Sequence, residues 1–584
     1  MTCRKPLLLL AWLLSGPTLA SHPDELLWGD THVHSRNSPD AYFLGNTQLS
    51  AEDAYRFAQG EPVHVNGSEY RLRRPLDFLV VTDHAEYMGV LPGIDELDPA
   101  LMATELGRRW RRYVDSGDRE PIFDEFVASL HTAEHRYPTS PAFQQSVWHR
   151  ALRAADAAND AGRFTALIGF EWTSMPAGNN LHRNVVFADG FARVSQVPPY
   201  SQFDSDDPAD LWRYMDDYER RTGGRVLAIP HNANLSNGIM FTTADFAGRA
   251  MTAEHAALRS RWEPVVEATQ IKGDSEAHPL LSPDDAFADY ETWDWSNIAG
   301  TEAKQPWMLK YEYARSALRI GIELDYLLGA NPYDFGMIGS SDSHTSMAAV
   351  EEDNYLGKFI INLPSPTRIA GYMTGGAADT GRDANWRQSA TGYAAVWARD
   401  NTRVEIFDAL RRKEVYATTG SRIGLRFFGG WGYRAADLES ADAFPQAYQR
   451  GVPMGGTLEI VSSDPASPTK TPTFLLWAWK DPEGVNLARA QIIKGWVDAR
   501  GTSHERVFDV ALAAEAGSAE LSAYWQDEDF DSTKPAFYYA RVIEVPSPRW
   551  TAYEAERYEL TLREEIPTGT QERAYGSPIW IRPQ

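Results

Sequence analysis

The chain has 584 residues, 43% of them hydrophobic and 12% aromatic, with 19 Trp. That is ample material for a large core, which excludes disorder, collagen-like repetition and low complexity as descriptions of the whole. The net charge is −25, from 56 Lys and Arg against 81 Asp and Glu. Such a surface repels phosphate backbones and excludes general nucleic-acid binding, though not a small anion held by a local cation.

The first segment, residues 1–20, reads as a secretory signal. Arg4 and Lys5 are its positive start, Leu7 to Leu14 its short apolar run, and Thr18-Leu19-Ala20 its small-residue cleavage pattern. About eight apolar residues cannot span a hydrocarbon layer of roughly 30 Å. The expectation is an exported protein, periplasmic or extracellular, with no membrane span after the signal is removed. Cys3, the one cysteine, lies inside this segment. A disulfide framework is therefore excluded, and any metal site must use His, Asp and Glu.

Next comes Trp28-Gly29-Asp30-Thr31, running into His32-Val33-His34, with Ser38-Pro39-Asp40 just downstream. Ser50-Ala51-Glu52-Asp53 is a capping-box helix start. Asp77 to Thr82 is a short apolar run, the pattern of a strand buried on both faces, and it leads into Asp83-His84. The stretch 87–163 shows no clear strand and reads as a helical insertion. Thr165 to Phe170 is a second strand run, followed by Glu171; His182 precedes a third, Asn184 to Phe187. Val226 to Ile229 is followed by Pro230-His231, and Pro264 to Glu267 by Gln270-Ile271-Lys272-Gly273. Trp307 to Leu328 carries apolar residues at helical spacing. Gly336 to Gly339 leads into Asp342-Ser343-His344, and Thr402 caps a helix running to about Arg412. Strands alternating with helices predict a parallel sheet or barrel. From residue 421 the texture changes to strands separated by Pro, Gly and Asp turns, including Phe474 to Trp479, Ala490 to Ile493 and Phe537 to Ile543. This predicts a β-rich, sandwich-like domain over 421–584, with Ser462 to Pro472 as one of its loops. Gly375-Gly376 is a loop signal without phosphate-loop spacing, and the Gly-x-Ser-x-Gly elbow of serine hydrolases does not occur.

The informative point is where the ionisable residues fall. Six of the fourteen histidines, His32, His34, His84, His182, His231 and His344, stand at strand ends, accompanied by Asp and Glu. In a parallel barrel those ends converge on one face. Alternate residues on an extended strand end project to the same side, so His32 and His34 can reach one ion. So many imidazoles and carboxylates on one face repel or compete for protons unless a cation organises them. Nitrogen and oxygen donors without sulfur suit zinc, manganese or iron.

His32-x-His34, Asp40, Thr82-Asp83-His84, Glu171, His182, Pro230-His231 and Asp342-x-His344 resemble the motif series of the polymerase-and-histidinol-phosphatase (PHP) superfamily. Residues 26 to 420 are similar to its DUF3604 branch, through Trp-Gly-Asp-x-His-x-His, Thr-Asp-His-Ala-Glu and Gly-Phe-Glu-Trp. The resemblance implies an α/β fold, a distorted (β/α)7 PHP-type barrel over 21–420, holding two or three divalent ions. It implies that His32, His34 and Asp342 hold one ion, that Glu171 bridges to a second on His182 and His231, and that Asp40, His84 and His344 hold a third. Asp83 is expected to orient a histidine rather than to ligate. The activity implied is metal-assisted hydrolysis of a phosphate ester, with water activated between two ions. Asp342 serves that chemistry, and Arg183 or Lys272 is the cationic group that neutralises the phosphoryl oxygens. The expected partner is a small anionic ester. Two rivals remain open: a metal-dependent hydrolase of an amide, lactone or sulfate ester, and a non-catalytic binding protein stabilised by metal. The ligand count disfavours the second, since a structural site closes with about four ligands.

Overall fold

Phe78-Leu79-Val80-Val81 is apolar on both faces, so it forms a strand only where both faces are covered. In a computed structural model, which describes residues 22–132, 135–374, 384–460 and 471–583, it is one of thirteen strands in a mixed sheet. The expected signal segment, the Gly375-Gly376 loop and most of the 462–472 loop lie outside the described residues. Among the described residues no helix is long and apolar enough to cross a membrane.

The strands are β1 (Glu25–Val33), β2 (Phe78–Val81), β3 (Thr165–Trp172), β4 (Arg183–Phe187), β5 (Val226–Pro230), β6 (Val265–Gln270), β7 (Gly336–Gly339), β8 (Tyr393–Ala398) and β9 (Val415–Thr418). The later ones are β10 (Gly424–Gly430), β11 (Gly451–Pro453), β12 (Thr457–Glu459), β13 (Thr473–Trp479), β14 (Leu487–Val497), β15 (Ser503–Leu512), β16 (Glu520–Gln526), β17 (Ala536–Glu544), β18 (Arg573–Gly576) and β19 (Ile579–Arg582). The large sheet runs β12-β19-β17-β18-β9-β8-β1-β2-β3-β4-β5, with β14 on β17 and β15 on β14. β7, β6 and Gly273–Asp274 form a three-stranded sheet; β11, β10, β13 and β16 form a four-stranded one.

The expected parallel arrangement holds for β1, β2 and β3 and for β6 with β7. It fails at β4, which runs antiparallel to both β3 and β5, and at β8, antiparallel to β1. The physical reason is length: residues 173–182 are too few for a crossover, which needs about a dozen or more, so the chain turns back beside β3. Residues 87–163 carry helices, among them Glu105–Ser116, Glu120–His131 and Pro141–Ala158, and no strand among the described residues. The helices read at Ser50 and Thr402 start as expected, each capped by that side chain.

Leu27, Phe78, Val80, Leu167, Val186, Leu227, Ile229, Val265, Ile338, Ala394 and Val396 meet in one buried cluster. They come from β1 to β8, so the two sheets enclose a common core, which Ile406, Phe407 and Leu410 of the helix Arg403–Arg412 complete. The seam between the sheets is narrow. Thr269 Oγ1 donates to the Thr418 carbonyl at 2.8 Å. A Cβ on Gly339 would stand 2.6 Å from Thr269 Oγ1 and 2.7 Å from the carbonyl oxygens of Tyr393 and Thr418. Only glycine lets β7 lie this close to β8 and β9. Gly339→Ala should therefore lower stability by about 1–3 kcal/mol, as overpacking does, read as a drop in the denaturant midpoint.

Candidate metal centre

The strand ends bring the predicted residues to one rim. His32 is on β1 and His34 follows it; His84 follows β2; Glu171 is near the end of β3; His231 follows β5; Asp342 and His344 follow β7. His182 comes before its strand, and the reversal of β4 explains why it still arrives. Arg183 pairs with Trp172 on one side and Pro230 on the other, so the start of β4 lies beside the ends of β3 and β5. Two single bridges close the rim: Val33 with Ser343, and His84 with Glu171. Asp30 ties β1 to the turn after β7 by accepting from the backbone N–H groups of His32, at 2.9 Å, and Ser341, at 3.2 Å. Burial pushes the Asp30 carboxyl up to about 7. Asp342 takes a left-handed backbone, φ 56°, and Asn232, after His231, does too, at 49°. Strain of this kind in non-glycine residues gathers at functional sites.

Glu171 is the centre of the cluster. Its Oε1 lies 2.7 Å from His182 Nδ1 and 3.0 Å from His231 Nε2. Its Oε2 lies 3.2 Å from His34 Nε2, 3.6 Å from His32 Nε2 and 3.0 Å from His84 Nδ1. His32 Nε2 and His34 Nε2 are 3.1 Å apart, and Asp342 Oδ1 is 3.4 and 3.5 Å from them. His84 Nε2 and His344 Nε2 reach Asp40 at 3.3 and 2.8 Å. Neighbouring donors on a tetrahedral ion stand about 3.3 Å apart when each bond is about 2.05 Å. The separations match that spacing. Four overlapping groups can each hold an ion: His32-His34-Glu171, Glu171-His182-His231, His34-His84-His344 and His32-His231-Glu267.

The orphaned atoms support the same fit. His182 Nε2 and His231 Nδ1 are buried without a hydrogen-bond partner, a cost that a ligand removes. The outer nitrogens of three rings are held instead. Ser38 Oγ donates to Asp83 at 2.8 Å, so it accepts from His34 Nδ1, also at 2.8 Å. Asp83 thus orients His34 through Ser38. His344 Nδ1 donates to the Asp342 carbonyl at 3.0 Å, and His32 Nδ1 to Glu267 at 3.1 Å. Each of these bonds fixes the tautomer that leaves Nε2 free for an ion. Glu267→Gln should weaken metal affinity about 10- to 100-fold, measured by competition with a chromophoric chelator.

Electrostatics agree with a site built for cations. Burial pushes His34 down to about 4, His182 to about 3 and His231 to about 4; neighbouring imidazoles add to it, while Glu171, and at His231 also Glu267, oppose it. Burial alone would raise Glu171; its interactions with the His84, His231 and His182 imidazoles outweigh it and hold the carboxyl well below its ordinary range. His344 and His84 do the same for Asp40.

Lys272 reaches the rim and its ammonium pairs with Asp342 Oδ2. Arg183 does not join it. Its Nε donates to Glu263 at 3.0 Å and its Nη1 to the Leu181 carbonyl, and none of its contacts is with a residue of the cluster. Two members escaped the sequence reading. Glu267 lies inside β6 rather than at its end, so a search of strand ends passes over it. Lys358 lies in a loop well beyond β7, and its Nζ stands 2.9 Å from Asp342 Oδ2; no signal in the sequence marks it.

Residues 21–516 and 512–583 match the sequence model of a family described as "Protein of unknown function (DUF3604)". A comparison with curated proteins finds no match. A solved structure from Bacteroides vulgatus ATCC 8482, described as a two-domain protein containing a predicted PHP-like metal-dependent phosphoesterase, is 11% identical. The alignment covers 88% of this chain and 90% of that one, with a TM-score of 0.29.

Proposed function

This chain belongs to the DUF3604 family, and from that premise we propose that it is a metal-dependent hydrolase of the PHP superfamily, acting on phosphate esters at the rim where β1 to β7 meet. We read those strands as that superfamily's distorted barrel, residues 421–584 as a β-rich unit whose strands β17 and β18 continue the large sheet, and residues 1–20 as a signal that takes the protein out of the cytoplasm. One observation carries the activity: six buried imidazoles converge, five of them within 3.6 Å of one carboxylate, Glu171, with the outer nitrogens of His32, His34 and His344 already bonded.

The residues that would hold ions are His32, His34, Glu171 and Asp342; Glu171, His182 and His231; and Asp40, His84 and His344. Bound ions supply Lewis acidity and lower the pKa of a coordinated water toward neutrality. The protein's own part is positional. Glu171 faces two groups at once through its two oxygens, which fixes the spacing between them. Glu267, Ser38 with Asp83, and the Asp342 carbonyl set the rings. Lys272 and Lys358 offset the charge of Asp342 at Oδ2, while its Oδ1 faces His32 and His34. Burial keeps bulk water from competing for these donors.

The test is metal content and hydrolysis of an aryl phosphate, for the wild type and His231→Ala. The expected result is two or three ions per chain, with turnover lost on chelation and in the variant. Bound metal without turnover of any phosphate ester would move the reading to another hydrolysed bond. A reconstituted protein without metal would end it.

A further inference from the structure

The two buried lysines beside Asp342 exceed what that residue needs. Lys272 and Lys358 are 6% and 4% exposed, and both ammonium groups converge on the one oxygen, Asp342 Oδ2. Lys358 Nζ also lies 3.0 Å from the Asp342 carbonyl and 3.1 Å from His344 Nδ1. Neither chain segment is free to swing away. The Lys272 N–H donates to Gln270 Oε1 at 3.1 Å, and its carbonyl accepts from Asn234 Nδ2 at 3.0 Å. The Lys358 N–H donates to Gln388 Oε1 at 3.0 Å, and its carbonyl accepts from the His344 N–H at 2.8 Å.

One carboxylate balances one ammonium. Asp342 also turns its other oxygen, Oδ1, toward His32 and His34, so its charge is shared with whatever cation those rings hold. The two lysines thus share this one carboxylate oxygen, and among the ion pairs of the described residues neither has a second acidic partner. A buried charge that must share its partner is costly, and a further negative group would relieve that cost. A lysine suits this part: it is a compact point charge with three donors that meets a tetrahedral oxyanion from any side.

We propose that Lys272 and Lys358 form an anion clamp beside the imidazole cluster, which selects substrates ending in a doubly charged group, such as a phosphate monoester, over singly charged diesters and uncharged esters or amides. The proposal rests on the hydrolase reading above and narrows it to a substrate class. Two ammoniums act on each added negative charge, so the second charge of a monoester strengthens binding where a diester has none to offer.

The experiment titrates inorganic phosphate and dimethyl phosphate into the metal-loaded full-length protein by calorimetry, for the wild type, Lys358→Met, Lys358→Arg and Lys272→Met, with metal content measured on each. The wild type should bind phosphate at least about tenfold more tightly than dimethyl phosphate. Each Met variant should keep its metal and lose about 30-fold in phosphate affinity, the loss of one charge-assisted contact, with little change for dimethyl phosphate. Lys358→Arg should restore most of the affinity. Unchanged phosphate binding in both Met variants overturns the clamp. So does loss of metal in them, because the lysines would then serve Asp342 rather than a ligand. Binding is read without turnover, so the two readings fail separately. A protein that binds phosphate through these lysines but hydrolyses no aryl phosphate sinks the phosphoesterase reading and leaves the clamp. One that hydrolyses it with phosphate affinity unchanged in both Met variants does the reverse.

Discussion

Glu171→Gln is expected to remove most of the bound metal and to lower hydrolysis by about a thousandfold or more. The substitution changes volume hardly at all and removes a single charge. That charge is the one the whole cluster shares: His182 and His231 meet one oxygen, and His34 and His84 the other, all within 3.2 Å. Glutamine accepts at its oxygen and only donates at its nitrogen, so it cannot present two anionic oxygens, and two of the four candidate ion groups lose a ligand together. Removing an outer partner of a metal ligand typically costs about 10- to 100-fold in affinity, and losing a shared inner ligand should exceed that. A thousandfold loss in rate is the size seen when one electrostatic element of a transition state is removed. The checks are elemental analysis and kcat/KM on the same preparation. Full metal content with near-normal kcat/KM would show that Glu171 is not the centre of the site.

Arg541→Ala should produce the largest loss of stability of any single change away from the rim, about 3–5 kcal/mol, the usual result of leaving a buried charge unpaired. Arg541, on β17, is fully buried and holds Asp285 with two bonds, at 2.9 and 2.7 Å, and Gln491 with a third at 2.8 Å. Asp285 also accepts from Arg315, at 2.8 Å, on the helix Ala314–Leu328. Arg315 in turn donates to Glu276 at 2.7 Å, and Tyr539 donates to the same carboxylate. This net joins the segment after β6 to the C-terminal strands, and removing Arg541 leaves Asp285 with Arg315 as its one cationic partner among the described residues, beside the Phe287 N–H. The pH dependence follows with a definite sign. Burial alone would raise the Asp285 carboxyl, but Arg541 and Arg315 outweigh it and hold it below its ordinary value of 3.8. The stability gained from this pairing is therefore complete above about pH 4 and is lost as pH falls below it. Denaturant unfolding at pH 7 and pH 3 checks both parts: the wild type should lose stability on acidification, and Arg541→Ala should lose less of it.

Much of the rim was legible because the clustered residues obey a positional rule. Residues that leave a strand at its end keep the strand's direction, so His32, His34, His84, His231, Asp342 and His344 could be placed from the apolar runs before them. Glu267 broke the rule by sitting inside β6, and its role depends on His32 arriving opposite from another strand, which local pattern does not encode. Lys358 depends on the path of a loop. The direction of β4 was misjudged for a related reason. An apolar run reads the same in either direction, and only the short connection 173–182 betrays the turn. Arg183 looked cationic and adjacent to His182, yet neighbours on a strand face opposite ways, and Glu263 holds it elsewhere.

The order of strands in the large sheet has a consequence for how the chain comes to be folded. Residues 573–576 are hydrogen-bonded between residues 416–418 and 541–543. β9, and through it the edge of the half that carries the histidines, stays open until more than 570 residues have left the ribosome. At about 5–20 residues per second, the roughly 155 residues between β9 and β18 take about 8 to 30 seconds to make, and over that time an apolar strand edge is bare. The nascent protein would need shielding over that interval, and a message truncated before that point would yield a chain with an uncovered edge, prone to pairing with its own copies.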